Sequence, residues 1–168
     1  ISINSSNNTI SYDIAYFNQW GIATNHGSRN LINNNLAFSN REHGIHIDWP
    51  SVGNVVSNNN VSSNTNAGIS VMNEANETLI NGNQIWDNLH GIRIEGSFRN
   101  KISDNNIIIN TIGVDLWMSS DNILSGNKMT NYNCSLMLSA SLGNVISGND
   151  IIGSGDGITL SQTSENNR

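Results

Sequence analysis

Cysteine, basic residues and charge in general are scarce in this chain, and each scarcity excludes something. A single cysteine, Cys134, leaves no internal disulfide, and its place at the start of a repeat suits a packed thiol. Lys and Arg number seven against thirteen Asp and Glu, for a net charge of −6. That balance offers no basic stripe for nucleic acid and none for an anionic membrane surface. No run of apolar residues approaches the ~18 needed for a membrane-spanning helix. Amphipathic helices are missing too: apolar residues nowhere recur at i, i+3, i+4 and i+7 over three turns. The abundant Asn, Ser, Gly and β-branched residues are poor helix formers.

What the chain has instead is self-repetition. A Gly-Ile-x-Ile-like tetrad restarts at Gly21, Gly44, Gly68, Gly91, Gly113, Ser135 and Gly157, at intervals of 22 to 24 residues. A period of this size marks a repeat architecture. Within the tetrads one apolar column reads Ile22, Ile45, Ile69, Ile92, Val114, Leu136, Ile158. The next reads Thr24, Ile47, Val71, Ile94, Leu116, Leu138, Leu160. Period-two alternation over so short a run predicts a strand with one buried face. A second block, N-x-I-x-x-N-x-I-x-x-N, is carried by Asn54, Val56, Asn59, Val61 and Asn64 in one unit and by Asn100, Ile102, Asn105, Ile107 and Asn110 in another, with Thr78 and Tyr132 each standing in for an Asn. Asn tolerates left-handed backbone at sharp corners, and its amide both donates and accepts. The uninterrupted column Asn35, Asn59, Asn83, Asn105, Asn127, Asn149 therefore predicts a side-chain ladder running from rung to rung. The expected fold is all-β: a parallel β-helix solenoid of about seven coils, with residues 1–168 as one domain.

With these motifs the sequence resembles the NosD-type β-helix repeats, a pattern shared with carbohydrate-binding proteins and sugar hydrolases. The resemblance spans nearly the whole chain and rests on corner and core positions, so it is specific for fold and not for function. It implies a right-handed helix, and NosD-type proteins are associated with copper delivery. Both ends fall inside a unit. Ile1 and Ile3 match inward tetrad positions, and Asn166 matches the first Asn of a block. Neither end looks capped, so flanking coils or domains of a longer parent chain are expected.

Function is expected where the repetition fails. If the tetrad apolar residues point inward, the alternating positions point out. One outward column is Ala23, His46, Ser70, Arg93, Asp115, Met137; the other is Asn25, Asp48, Met72, Glu95, Trp117, Ser139. All four His and three of the four Trp lie on or beside this strand, in a chain that is only 12% charged. Aromatic faces alternating with carboxylates, imidazoles and a guanidinium suit a polysaccharide or cell-surface glycan. Asp48 and Glu95 should sit two rungs apart, roughly 9.6 Å, with Glu95 and Asp115 roughly 8 Å apart on the diagonal. Side-chain flexibility brings such pairs within the roughly 6.5–9.5 Å used by inverting glycosidases. Asp48, Glu95 and Asp115 are thus candidate catalytic residues, and His46, Trp49, Arg93, Trp117, His43 and His90 candidate substrate-binding residues. A lyase, with Arg93 as base and Ca²⁺ on an acidic sugar, ranks below hydrolysis; the hydrolytic reading calls for no cofactor. A copper protein using His43, His46, Met72, Met118 and Met137 is a third reading, although His43 and His46 straddle the strand start and their rings are expected on different faces. A rigid spacer or adhesive module is a fourth. The Asn-rich, charge-poor surface suits an extracellular or cell-surface setting.

Overall fold

The computed structural model, which describes residues 1–153 and 155–168, is a parallel β-solenoid with no helix among the described residues. The tetrad strands, Ser2–Ile3, Trp20–Asn25, His43–Asp48, Ala67–Met72, His90–Glu95, Ile112–Trp117, Cys134–Ser139 and Asp156–Ser161, form one eight-stranded sheet in chain order. Two seven-stranded sheets of shorter strands close the other sides of the coil. A two-stranded sheet, Ser51–Val52 with Ala75–Asn76, occupies the residues that lengthen two of the early coils. Every pairing is parallel, and the tetrad sheet stacks like on like: Ala23 opposite His46, Ser70 opposite His46 and Arg93, Arg93 opposite Asp115. The core is a thin column in which Ile22, Ile45, Ile69, Ile92, Val114 and Leu136 are fully buried, as are Ile32, Val56, Ile80 and Ile102 from the second sheet. Each such burial contributes roughly 1.5–3 kcal/mol.

The corners are held by amide ladders. Along the central one, Asn35, Asn59, Asn83, Asn105 and Asn127 each donate from Nδ2 to the Oδ1 of the next Asn, ending on Asn149, at 2.9–3.0 Å. The same Oδ1 atoms accept the backbone N–H of the Asn one rung earlier, and the Nδ2 groups also donate to core-strand carbonyls such as Val56 O. A second ladder runs Asn18, Asn40, Asn64, Asn88, Asn110 to Asn131. Tyr132 is therefore not the stand-in expected from an even 22-residue spacing. The coil omits its left-handed corner residue, the seat filled by Ile109 one rung earlier, and Asn131 slides into the ladder. The third ladder also shifts: Asn167, not Asn166, pairs with Asn144, while Asn166 takes the corner seat at φ 57°. In general the left-handed seat is the residue before the ladder Asn, as at Asn34, Asn58, Gly82, Asp104, Gly126 and Gly148. Ladder Asn residues are selected for their amides, not for left-handed backbone.

The tetrad glycines are dictated by these amides. A Cβ on Gly68 would stand 2.8 Å from Gly91 O and 3.0 Å from Asn88 Nδ2; the same clash recurs at Gly21, Gly44, Gly91 and Gly113. At the next tetrad Ser135 stands in place of glycine; the glycine facing it on the following rung is Gly153, whose added Cβ would lie 3.6 Å from Ser135 Oγ. Replacing Asn83 by Ala orphans the Asn59 backbone N–H and removes one of the two bonds of its Nδ2, so Asn83→Ala is expected to cost about 2–4 kcal/mol in urea unfolding. Asn106→Ala, which loses only an exposed bond to Gln84, should fall within about 0.5 kcal/mol of wild type.

Candidate functional site

The outer face of the tetrad sheet is not the open stripe that strand alternation predicts. Ala23, His46, Ser70 and Asp115 are buried, and Arg93 is half-buried. The cause is a bend at the tetrad glycine. The Cα–H of Gly44 that would bear a Cβ points at Val61 and the Asn64 amide, so Gly44 and Ile45 both face inward. His43 and His46 then emerge on the same side, and their rings stack at 4.9 Å instead of pointing to different faces. His43, His90 and Ala67 thereby roof the column beside them.

Two clusters result, joined through Ser70. In the first, the Trp20 ring lies 4.8 Å from His46, and its Nε1 donates to Glu42 at 2.6 Å. Gln19 donates to the other Glu42 oxygen at 3.0 Å. These two hydrogen bonds hold the Glu42 carboxyl below its usual pKa. His46 Nε2 faces Asp48 Oδ2 at 3.4 Å. The other oxygen of Asp48 accepts the Trp49 N–H at 2.8 Å and the Asn73 amide at 2.7 Å. The second cluster gathers Arg93, Glu95, Asp115, His90 and Trp117. Arg93 pairs with Glu95 at 2.9 Å, stands 4.0 Å from Asp115, and lies over the Trp117 ring at 5.6 Å. His90 Nδ1 is 3.4 Å from the same Asp115 oxygen. Of the three candidate carboxylates, then, Glu95 and Asp115 are brought together by Arg93, whereas Asp48 is engaged with His46, Trp49 and Asn73.

Burial dominates the electrostatics. It drives His43 and His90 down to about 4, helped by the His46 charge in the first case and by Arg93 in the second. It lowers His46 against the opposing pull of Asp48, and raises Asp115 against Arg93. Four buried polar atoms on this face have no hydrogen-bond partner: His46 Nδ1, Ser70 Oγ, His90 Nδ1 and Arg93 Nε. Such groups are costly unless something completes them, which marks the column as a place built for polar contact. Asp115 stands within reach of two of them but aligned with neither, a looseness common in catalytic groups before substrate binds.

Beyond the strand the chain turns at a column of left-handed residues: His26, Trp49, Asn73, Gly96, Met118 and Ala140. Left-handed residues recur at the other corners too, Tyr12, Phe17 and Ile109 among them, so this backbone belongs to the turn geometry of the solenoid. Trp49, Pro50, Asn73, Glu74 and Gly96 line a rim cleft of about 430 Å³. The repeat pattern sets Trp49, Asn73 and Gly96 in one column flanking the strand but singles out neither Pro50 and Glu74 nor Glu42. Glu42 is the acidic residue immediately before His43, which lies opposite Trp20, so its carboxylate reaches the Trp20 indole one rung back. Nothing in the repeat announces the Glu74 turn.

The whole chain matches the family model described as periplasmic copper-binding protein (NosD), over residues 1–112 and 72–168, and the protein belongs to that family. Among curated protein sequences it finds no match. Among solved structures it is similar to the Dettilon tailspike protein gp208, with TM-score 0.88 and 20% identity over 99% of this chain and 39% of that one. It is similar to a double mutant of the periplasmic alginate epimerase AlgG, with TM-score 0.88 and 21% identity over 90% and 37% of the two chains. It also resembles the A-module of the mannuronan C-5 epimerase AlgE4 of Azotobacter vinelandii, with TM-score 0.79 and 17% identity over 99% and 59%. The chain thus spans about two fifths of the first two and three fifths of the third, and these likenesses establish the right-handed parallel β-helix.

The copper of the family description does not fit the residues present. The stacked His43 and His46 turn ring faces, not nitrogens, toward each other, and His43 Nδ1 already accepts the Ala67 N–H at 3.2 Å. Met72 shares a column with Glu95, Met137 shares one with Asp115, and Met118 sits at the corner. No group of three His, Cys, Asp or Glu among the described residues is placed to hold a metal. Titration with Cu(I) or Cu(II) in a calorimeter is expected to show no saturable uptake at micromolar metal. The two depressed histidines carry a pH signature. The unfolded chain takes up protons near the ordinary His value of 6.5, whereas folded His43 and His90 resist down to about 4. Their contribution to stability is therefore complete above pH 6.5 and lost as pH falls from 6.5 to 4. Raised Asp115 works in the opposite sense, costing stability at higher pH and relaxing as it protonates. The urea midpoint should drop between pH 6.5 and 4.5, and His43→Gln with His90→Gln should flatten that slope.

Proposed function

We propose that this protein binds a polysaccharide along the outer face of the tetrad sheet and hydrolyses it at the Arg93–Glu95–Asp115 cluster. The observation that carries this reading is the pair of carboxylates flanking one guanidinium in unlike settings. Asp115 is buried and its pKa raised; Glu95 is more exposed and bonded to Arg93 at 2.9 Å. Unlike environments for two neighbouring carboxyls separate an acid from a base. Asp115 gives its proton to the glycosidic oxygen as the C–O bond breaks, and Glu95 takes a proton from the water that adds to the anomeric carbon. Trp117 and His90 border the reacting unit, and the buried His46 and His43 support the face toward the preceding coils. Asp48 acts by orienting His46 and Asn73. Arg93 is engaged with Glu95, and a guanidinium is a poor base, which favours hydrolysis over a lyase reaction that would enlist Arg93 and Ca²⁺.

The similar solved structures support the reading, since two of those described are named for alginate and mannuronan, both polysaccharides. The family's periplasmic description agrees with a substrate met outside the cytoplasm. Asp115→Asn and Glu95→Gln should each lower reducing-end release from a cleaved polysaccharide by about 10²–10⁴-fold while glycan binding persists. Unchanged rates in both variants would reject the assignment. Unimpaired glycan binding after joint replacement of Asp48, Glu95 and Asp115 by Ala, with no cleavage by any form, would leave a non-catalytic binding module.

A further inference from the structure

The rim cleft adjoins the carboxylate cluster, since Gly96 follows Glu95 and the Asn73 N–H donates to Glu95 O, yet it has its own chemistry. Along the solenoid axis the corner column reads His26, Trp49, Asn73, Gly96, Met118, one residue per rung. His26 stacks on Trp49 at 5.3 Å with 27° between the rings, covering the indole face toward the preceding coil. The opposite indole face looks along the axis over Asn73 and Gly96, the two smallest or most polar members of the column. A Cβ added at Gly96 would meet nothing within 4 Å, so the floor there is open. The next large side chain is Met118, three rungs and about 14 Å from Trp49. Trp49 and Met118 remain 53% and 54% exposed at their left-handed corner positions. The cleft is a slot with one rigid aromatic wall, a polar floor and an open mouth.

Its charge is one-sided. Glu74 lines the slot and has no ion-pair partner among the described residues. The Asp48 carboxylate lies beneath it, bonded to Asn73 and to the Trp49 N–H. No Lys or Arg lines it. From these features we infer that the cleft is a subsite for a neutral sugar unit, stacked on Trp49 and bonded through its hydroxyls to Glu74 and Asn73, and that it disfavours a uronate. Sugars present an apolar C–H face to indole and hydroxyls to acceptors, which matches the slot. A sugar carboxylate placed beside Glu74 and Asp48 would meet like charge. The inference rests on the polysaccharide reading above and gives that polymer a class different from the alginate and mannuronan of the similar structures.

The test uses the full chain carrying Asp115→Asn, so that turnover does not consume the ligand. Calorimetric titrations compare hexasaccharides of β-1,4-linked glucose and of mannose with hexamannuronate. The neutral ligands should bind more tightly than the acidic one. Trp49→Ala should weaken them at least tenfold, and so should Gly96→Asn, which fills the floor with a residue that Asn73 shows to be compatible with this corner. Both variants should keep the urea midpoint of the parent, which separates a lost subsite from a lost fold. Glu74→Gln should narrow the gap between neutral and acidic ligands. Full affinity in Trp49→Ala and Gly96→Asn, with loss only in Arg93→Ala, would overturn the subsite and leave the sheet-face function standing. Tighter binding of hexamannuronate would overturn the neutral class. Failure of every hexasaccharide to bind would remove the polysaccharide reading itself.

Discussion

The structure depends on one interaction, the hydrogen bond from an Asn side-chain amide to the Asn side-chain oxygen one rung on. Parallel sheets alone would fix the spacing of the coils but not the shape of their corners. The amide columns satisfy backbone groups that a corner would otherwise leave stranded in the core, and they do so identically at each rung. A buried polar network is stable when fully satisfied and costly when half satisfied. Hence the requirement for glycine at Gly21, Gly44, Gly68, Gly91 and Gly113, where nothing larger fits beside the Asn amide.

Because corners and core are settled by repeating residues, the outer face of the tetrad sheet is free to vary. Its variation is still constrained, since rungs about 4.8 Å apart force bulky side chains to pack on one another. Trp20, His46 and His43 stack, Arg93 reaches over Trp117, and the column between them becomes buried without any covering loop. The same crowding that hides His46 and Asp115 from water shifts their protonation equilibria. Packing density and chemical poise on this face have one cause.

The coil number, the register of the tetrad sheet, the inward columns and the central Asn ladder were all legible in the sequence, because each follows from residues that recur. Legibility failed at single-residue slips. An even spacing places Tyr132 and Asn166 in ladders that Asn131 and Asn167 occupy, since backbone corners can drop or gain a residue without disturbing the strands. Strand alternation also misjudged the outer column: it treats the tetrad glycine as an ordinary strand residue, and the bend at Gly44 that puts His43 beside His46 has no signature in a hydrophobicity pattern. The grouping of Arg93, Glu95 and Asp115 could be anticipated from register. The separate engagement of Asp48 could not, because its partners Trp49 and Asn73 lie beyond the strand end, where the chain turns.

The interruption at Thr78 bears on how the solenoid carries load. Pulling along the axis works to separate each coil from the next, and the amide columns are tethers in series against that pull. The junction at Thr78 lacks such a tether: no side-chain amide meets Asn54, and the Thr78 hydroxyl is buried without a partner. Across that same junction the chain adds its extra pair of strands, Ala75 opposite Ser51 and Asn76 opposite Val52. Backbone bonds thus take over where the side-chain tether is missing, and the seam beneath the rim cleft stays closed.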